Sequence, residues 1–485
     1  MKEPQISEDA EQTAAAQTQQ VVAGWDGEED PLNPLNWSPG YKWCHILLVS
    51  LLTFVISLSS SMLAPAIPQA AHDLKTPTAS VESFILSAYV IGYSLGPLLV
   101  APLSELYGRS LVYQVSSLLF AAFSVGCALS TNVGMFIAFR LLSGCAGVTP
   151  LALGASSVGD VMREDQMGKP MALWGLASLL APVLAPVAGG YLTEAASWRW
   201  IFWVIVIAMG VLIFASPFLL RETYAPVILE RKAARMRKSL NVSEQQSSMH
   251  ASVATSKVAV VRSAFLRPFT MFFSSPIVLI LSIYVACVYA YQYLMFSTLA
   301  SIYQALYKLS AGKLGLIYLG TGIGTILAVG FIGPMSDKLA ARNKQNGKDT
   351  TPEQILWPQL MGAILVPAGL FWYGWTLEAE SHPVVPLVGL GVFGFGMMAV
   401  LMPVQMYLVQ AYGVHSASAL AATNTLRNIA GALLPLGGPE LYQTLGYGWG
   451  NSLLAFISIA MIPMPAVLMR FGGKLRARDR NIIQR

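Results

Sequence analysis

The sequence predicts an all-α membrane protein of twelve transmembrane helices in two pseudo-symmetric six-helix bundles. Three observations predict it. The 485 residues are 55% apolar and only 11% charged, where a soluble chain carries about 25% charged residues. The charges fall in clusters separated by long apolar runs, each of a length that crosses a bilayer. The longest polar stretch between runs, Arg221 to Thr270, parts them six and six.

The runs lie near 43–66, 82–103, 111–129, 133–157, 171–192 and 198–220, then 276–299, 314–333, 357–375, 384–404, 417–436 and 449–469. Glycine and proline recur inside them, as in membrane helices packed on one another. The expected domains are a disordered N-tail (1–40), a first bundle (41–220), a linker (221–270), a second bundle (271–470) and a basic tail (471–485). Lysine and arginine gather in the linker and the C-terminal tail, whereas the loop near 376–383 has neither. By the positive-inside rule both termini and the linker are cytoplasmic. The plasma membrane is the expected location. Residues 1–30 lack the basic start and apolar core of a cleaved leader. Ala225 to Leu240 mixes apolar and basic residues, which suits either the inner membrane surface or a solvated linker. The net charge of +5 therefore reads as orientation, with no nucleic-acid partner.

Four cysteines, all in or beside apolar runs and without a CxxC pair, argue for core packing over a zinc site or disulfide framework. No phosphate loop, metal cluster or Ser-His-Asp set appears, so neither enzymatic activity nor direct ATP drive is expected, and no cofactor. The expected partners are a small-molecule substrate, protons and the lipid bilayer, with the chain acting as a monomer.

An echo links the halves. Pro102-Leu-Ser-Glu105 with Arg109 follows the second run; Pro334-Met-Ser-Asp337 with Arg342 follows the eighth. Duplicated halves with a central site are the usual construction of secondary transporters. Glu105, Arg109 and Asp337 are thus candidate gating residues, pairing with one another or with helix ends. Arg140 stands inside the fourth run with Gly144 and Gly147 on its face. It either faces the interior or snorkels from a helix end. In the fifth run Ala181, Ala185 and Gly189 make a small-residue face. Pro182 and Pro186 remove backbone donors, with Gly190 following.

These motifs resemble those of the major facilitator superfamily, and of its fungal drug:proton antiporters. Ala101-Pro-Leu-Ser-Glu-Leu-Tyr-Gly-Arg109 resembles the family's G-x-L-a-D-r-x-G-r loop. Phe139-Arg-Leu-Leu-Ser-Gly144 resembles its R-x-x-x-G motif, which implies proton coupling at Arg140. Ala185-Pro186-Val-Ala-Gly189-Gly190 resembles its G-P-x-x-G-G antiporter signature, with Ala185 in place of the first glycine. Asp30-Pro-Leu-Asn-Pro-Leu-Asn-Trp37 and Ser197-Trp-Arg-Trp-Ile-Phe202 extend the likeness. The resemblance implies proton-coupled export of small organic molecules such as drugs or secondary metabolites. Gln410 stands where many relatives carry Asp, so a proton role is not inherited there.

The candidate cavity residues are Ser57 and Ser60 of the first run, Tyr289, Gln292 and Tyr293 of the seventh, Phe395 of the tenth, and Asn424 and Arg427 of the eleventh. Aromatic walls suit varied organic compounds. Two interior arginines without a mid-span acid favour an anionic or neutral substrate over polyamines; both arginines serving only structure is the competing reading. An organic-acid exporter or facilitator of primary metabolism is the alternative function, and a non-transporting sensor a third.

Overall fold

The computed structural model describes residues 25–27, 29–163, 166–239, 270–345, 352–413 and 416–483. Every regular element among them is helical. The first half contains α1 (Pro39–Ser61), α2 (Ile67–Asp73), α3 (Ala79–Tyr107), α4 (Arg109–Ala128), α5 (Val133–Gly147), α6 (Thr149–Val161), α7 (Gly168–Ala195) and α8 (Trp198–Leu219). The linker holds α9 (Ala225–Ser239). The second half contains α10 (Pro276–Tyr307), α11 (Ala311–Ile317), α12 (Leu319–Gln345), α13 (Trp357–Glu378), α14 (Val384–Tyr412), α15 (Ser416–Leu433), α16 (Gly438–Met461) and α17 (Pro463–Ile483).

Local chemistry sets many boundaries. Thr78, Asn132 and Ser275 cap α3, α5 and α10, each side chain accepting a first-turn N–H; such a cap is worth about 1 kcal/mol. Gly108, at φ +96°, separates α3 from α4, a conformation that a side chain would strain. Pro150 lacks the N–H that would continue the helix from α5, so the fourth span divides into α5 and α6 at Val148.

Eleven stretches are long and apolar enough to cross a membrane. The last, Ser418–Arg476, has 59 residues, about 88 Å if fully helical, against a hydrocarbon core of about 30 Å. The 3₁₀ turn Leu434–Gly437 divides it, giving two crossings and twelve in all. Large apolar side chains clothe the outside: Phe214, Phe218 and Phe273 are each more than two-thirds exposed. That surface is tolerable only against lipid.

Two boundaries differ from the sequence expectation. Asp26 and residues 29–38, expected within a disordered tail, are folded against the bundle and α9. Asp30 accepts from the Asp26 and Leu32 N–H groups and pairs with Lys232 of α9 at 3.0 Å; Lys232 also reaches Asp26 at 2.7 Å. The basic tail expected from 471 instead continues α17 to Ile483, with Arg476 facing Glu353 at 3.5 Å. α16 is interrupted at Gly446, φ +73°, just ahead of the twelfth run expected near 449–469. The linker beyond Ser239 lies outside the described residues, as does most of the N-tail.

The described parts of the tails and linker lie at one end of the bundle, here the tail end; the opposite one is the far end. Across the middle, α3 packs on α15 and α7 on α11 and α12. Between described residues, the hydrogen bonds joining the halves lie at mid-bundle and at the far end. Ser94 donates to the Thr425 carbonyl (3.3 Å), Ser301 to Glu82 (3.1 Å), and Ser310 and the Gly312 N–H to Glu194 (3.2 and 2.7 Å). The far end is therefore closed.

Candidate functional site: a central cleft between two arginines

Arg140 is fully buried in α5. Its Nη1 donates to the Ser59 carbonyl at 3.0 Å. The guanidinium lies over the Tyr89 ring at 4.5 Å and near Phe202 at 5.9 Å. Nε and Nη2 have no hydrogen-bond partner. A guanidinium has five N–H donors, so most of this one's capacity is unspent in a dry environment. The rings offset part of the desolvation.

Arg427 on α15 repeats the arrangement in the second half. Its guanidinium lies over the Tyr289 ring at 4.5 Å, and its Nε is buried without a partner. Tyr289 and Tyr293 stack along one face of α10 at 5.0 Å, and Tyr89 and Tyr93 along one face of α3 at 5.2 Å. The Tyr293 hydroxyl lies within the electrostatic reach of both arginines. Four tyrosines therefore stand between two partly unsatisfied guanidiniums. Neither guanidinium has a carboxylate partner among the described residues.

Ser57 lies beside the Tyr93 hydroxyl, so this part of α1 joins the cleft. Ser60 turns back to the Ser57 carbonyl at 2.7 Å. Gln292 and Asn424 are half-buried beside Tyr293 and one turn from Arg427. Phe395 sits elsewhere. It joins the packing of Ala328, Ile332 and Ala399 between α12 and α14, next to exposed Phe331.

The gating candidates also separate. Arg109 does not pair with Glu105, which is exposed at the end of α3. Its Nε meets Asp160 of α6 at 2.5 Å, and Nη1 donates to Ser156. Glu222 accepts the Arg109 N–H at 2.8 Å, and Thr223 donates to Asp160 at 3.0 Å. The turn at Gly108 starts α4 against the Glu222 carboxylate and swings Arg109 toward α6. Asp337 lies on α12, but its side chain falls outside the described residues.

The small face of α7 makes a close backbone approach to α11 of the other half. Ala185, Pro186, Gly189 and Gly190 are all buried. A Cβ on Gly190 would stand 2.5 Å from the Ala311 carbonyl oxygen and 3.0 Å from the Gly315 Cα. A Cβ on Gly189 would collide with the Met62 carbonyl of the first span.

Sequence reasoning missed Tyr89, Tyr93, Asp160 and Glu222. The two tyrosines carry a signal, four residues apart on one helical face. Asp160 and Glu222 carry none, because their partner is distant in the chain.

Twelve crossings, an apolar exterior and a polar cleft between halves define a multi-pass membrane transporter. Residues 49–435 match the pattern of the Major Facilitator Superfamily, and the chain belongs to that family, one of transporters rather than enzymes. It is 42% identical to the MFS transporter cpaT of Aspergillus oryzae, over 97% of this chain and 94% of that one. It is likewise 42% identical to the efflux pump radE of Floropilus chiversii, over 95% and 85%. Among solved structures it is similar to a D-xylose-proton symporter (TM-score 0.67, 14% identity, 88% and 97% covered). It also resembles the partially occluded inward-open xylose transporter XylE from E. coli (0.63, 13%, 89% and 99%). At these identities the structural likeness speaks for the fold alone.

Proposed function

We propose that the protein is a proton-coupled exporter of small organic molecules such as drugs or secondary metabolites, with anionic or neutral polar cargo preferred. Both termini and the linker then face the cytoplasm of a plasma-membrane protein, and the tail end is the cytoplasmic one. The halves 41–220 and 271–470 rock about the central cleft. The observation that carries the substrate class is the pair of guanidiniums, Arg140 and Arg427, with unspent donors and no carboxylate partner among the described residues. Such donors bind delocalised anions such as carboxylates, while a cationic cargo meets two positive charges and no counter-charge. The efflux-pump relative supports the direction of transport. The same arginines suit an organic acid of primary metabolism equally well. In this reading Arg109–Asp160 and the Glu222 contacts brace the tail end of the first half, and Glu105 and Asp337 remain its proposed gating acids. The Ala185–Gly190 face of α7 seals the far end.

Proteoliposomes holding the full chain test the reading. With a pH gradient imposed, 1-naphthoate should exchange against protons, and the cationic dye ethidium should not. Arg427→Ala should cut naphthoate transport by about 10-fold or more, the worth of a hydrogen bond to a charged group. Robust ethidium export indifferent to Arg427→Ala overturns the substrate assignment.

A further inference from the structure

Proton-coupled transport needs a group that takes a proton on one side of the membrane and yields it to the other. The cleft offers arginines and tyrosines, but no carboxylate among the residues described there. The far end does offer one. Glu82, on the first turn of α3, accepts the Ser301 hydroxyl of α10 at 3.1 Å, so it reaches from one half to the other. Two cavities flank it, of about 600 and 480 Å³, and Glu82 and Ser301 line both. It is therefore placed where outside water arrives whenever the far end parts.

Helical register connects this point to the cleft. Along α10 the row Ser301, Ser297, Tyr293 and Tyr289 winds by about 120° around the helix, and Ser297 donates to the Leu294 carbonyl of its own helix. Along α3, by contrast, Glu82, Leu86, Tyr89 and Tyr93 alternate steps of four and three and share one face. The α3 file alone thus descends from Glu82 to Tyr89 and Tyr93, beside Arg140. Glu194, the other far-end carboxylate that crosses between halves, is differently placed. It holds a backbone N–H and a hydroxyl at the start of α11, a fastening role. Glu82 has the single neutral hydroxyl partner. The charged or titratable groups around it are His72 and Lys75 on one side, and Glu378, Glu380, Tyr442 and Tyr447 on the other. Of these, Glu378 already accepts the Tyr447 and Gly448 N–H groups.

We propose that Glu82 is the proton-carrying carboxyl of the transport cycle, an inference that rests on the proton-coupled reading above. With the far end open, the carboxylate takes one proton from outside water and becomes a neutral acid. Closure brings Ser301 onto it. The proton leaves to water in the cytoplasm-facing cleft, restoring the carboxylate that accepts the Ser301 bond in this structure. One proton is taken up and one released per passage, with no bond to carbon changed.

The test uses the full chain in nanodiscs, spin-labelled at exposed Thr131 and His382 on the far-end loops of the two halves, without added substrate. Far-end distance distributions are recorded from pH 5 to 9. The wild-type chain should shift between two distances with one midpoint. Glu82→Gln, which keeps an acceptor for Ser301 but cannot titrate, should lose the shift. Glu82→Asp should retain it with a displaced midpoint, showing that the site folds. Ser301→Ala should also retain it, because the latch is removed and the acid is not. A wild-type shift that survives in Glu82→Gln overturns the role of Glu82 alone. A shift lost in Ser301→Ala but kept in Glu82→Gln assigns the effect to the latch and likewise overturns it. No wild-type shift, together with no proton flux in proteoliposomes, overturns the proton-coupled reading and this proposal with it.

Discussion

Gly190→Ala should open the far end. The added Cβ would lie 2.5 Å from the Ala311 carbonyl oxygen, whereas ordinary contact begins at 3.4 Å. The helices α7 and α11 must therefore separate there by about 0.9 Å, and the opposing atoms are backbone, which cannot rotate away. Overpacking of this kind costs about 1–3 kcal/mol. The cost falls only on the state in which α7 and α11 touch, so the ratio of far-open to far-closed molecules should rise by about 5- to 150-fold. Spin labels at Thr131 and His382 read that ratio directly. Gly210→Ala is the control, because a Cβ there meets nothing within 4 Å. It should leave the distances unchanged and stabilise α8 by up to about 1 kcal/mol, the intrinsic preference of alanine over glycine in a helix. If Gly190→Ala gives the wild-type distance distribution and the wild-type unfolding temperature, the close approach of the halves at this face is refuted.

Two further changes probe the tail end. Arg109→Ala leaves Asp160 facing only the Thr223 hydroxyl, and should lower stability by about 1–3 kcal/mol; Asp160→Asn in the same chain should restore part of it, read by thermal unfolding in detergent. Lys232→Ala should free residues 26–38 from α9, seen as faster hydrogen exchange in that segment. Its pH dependence follows from two shifts. The Asp26 and Leu32 N–H groups and Lys232 hold the Asp30 carboxyl down at about 2, and the contacts to Asp26 and Asp30 push the Lys232 ammonium up. The Asp30 contribution is full above its ordinary value of 3.8 and fades as pH falls toward 2. The Lys232 contribution is full below its ordinary 10.5 and fades as pH rises beyond it. Exchange protection of 26–38 should therefore be flat from about pH 5 to 9, and a midpoint near neutrality would refute the clamp.

The crossings were legible because hydrocarbon imposes a simple rule on length and polarity, which the chain obeys almost throughout. Arg140 and Arg427 were legible for the same reason, since a charge within an apolar run is conspicuous. Their tyrosine covers were half legible. Tyr289 and Tyr293 lie in the same aromatic span that was singled out, but Tyr89 and Tyr93 sit among serines and glycines that drew no notice. Phe395 shows the converse. Its glycine-flanked setting suggested a cavity wall, yet the small neighbours serve helix packing. Partnerships across long chain separations, such as Arg109 with Asp160 and Lys232 with Asp30, were not legible, because nothing local to either residue encodes its mate. The tail beyond Phe471 reads as basic by composition; the helix continues through it, with Arg476 packed on Glu353.

The break in α16 has a mechanical consequence. At Gly446 the chain turns through a conformation with φ +73°, and the Glu378 carboxylate at the end of α13 grips the two N–H groups that restart the helix, at 2.8 and 3.1 Å. Two neighbouring rods are thereby pinned at a shared joint. A swing of one rod during transport drags the other with it, so the outer corner of the second half travels as a single lever rather than as separate staves.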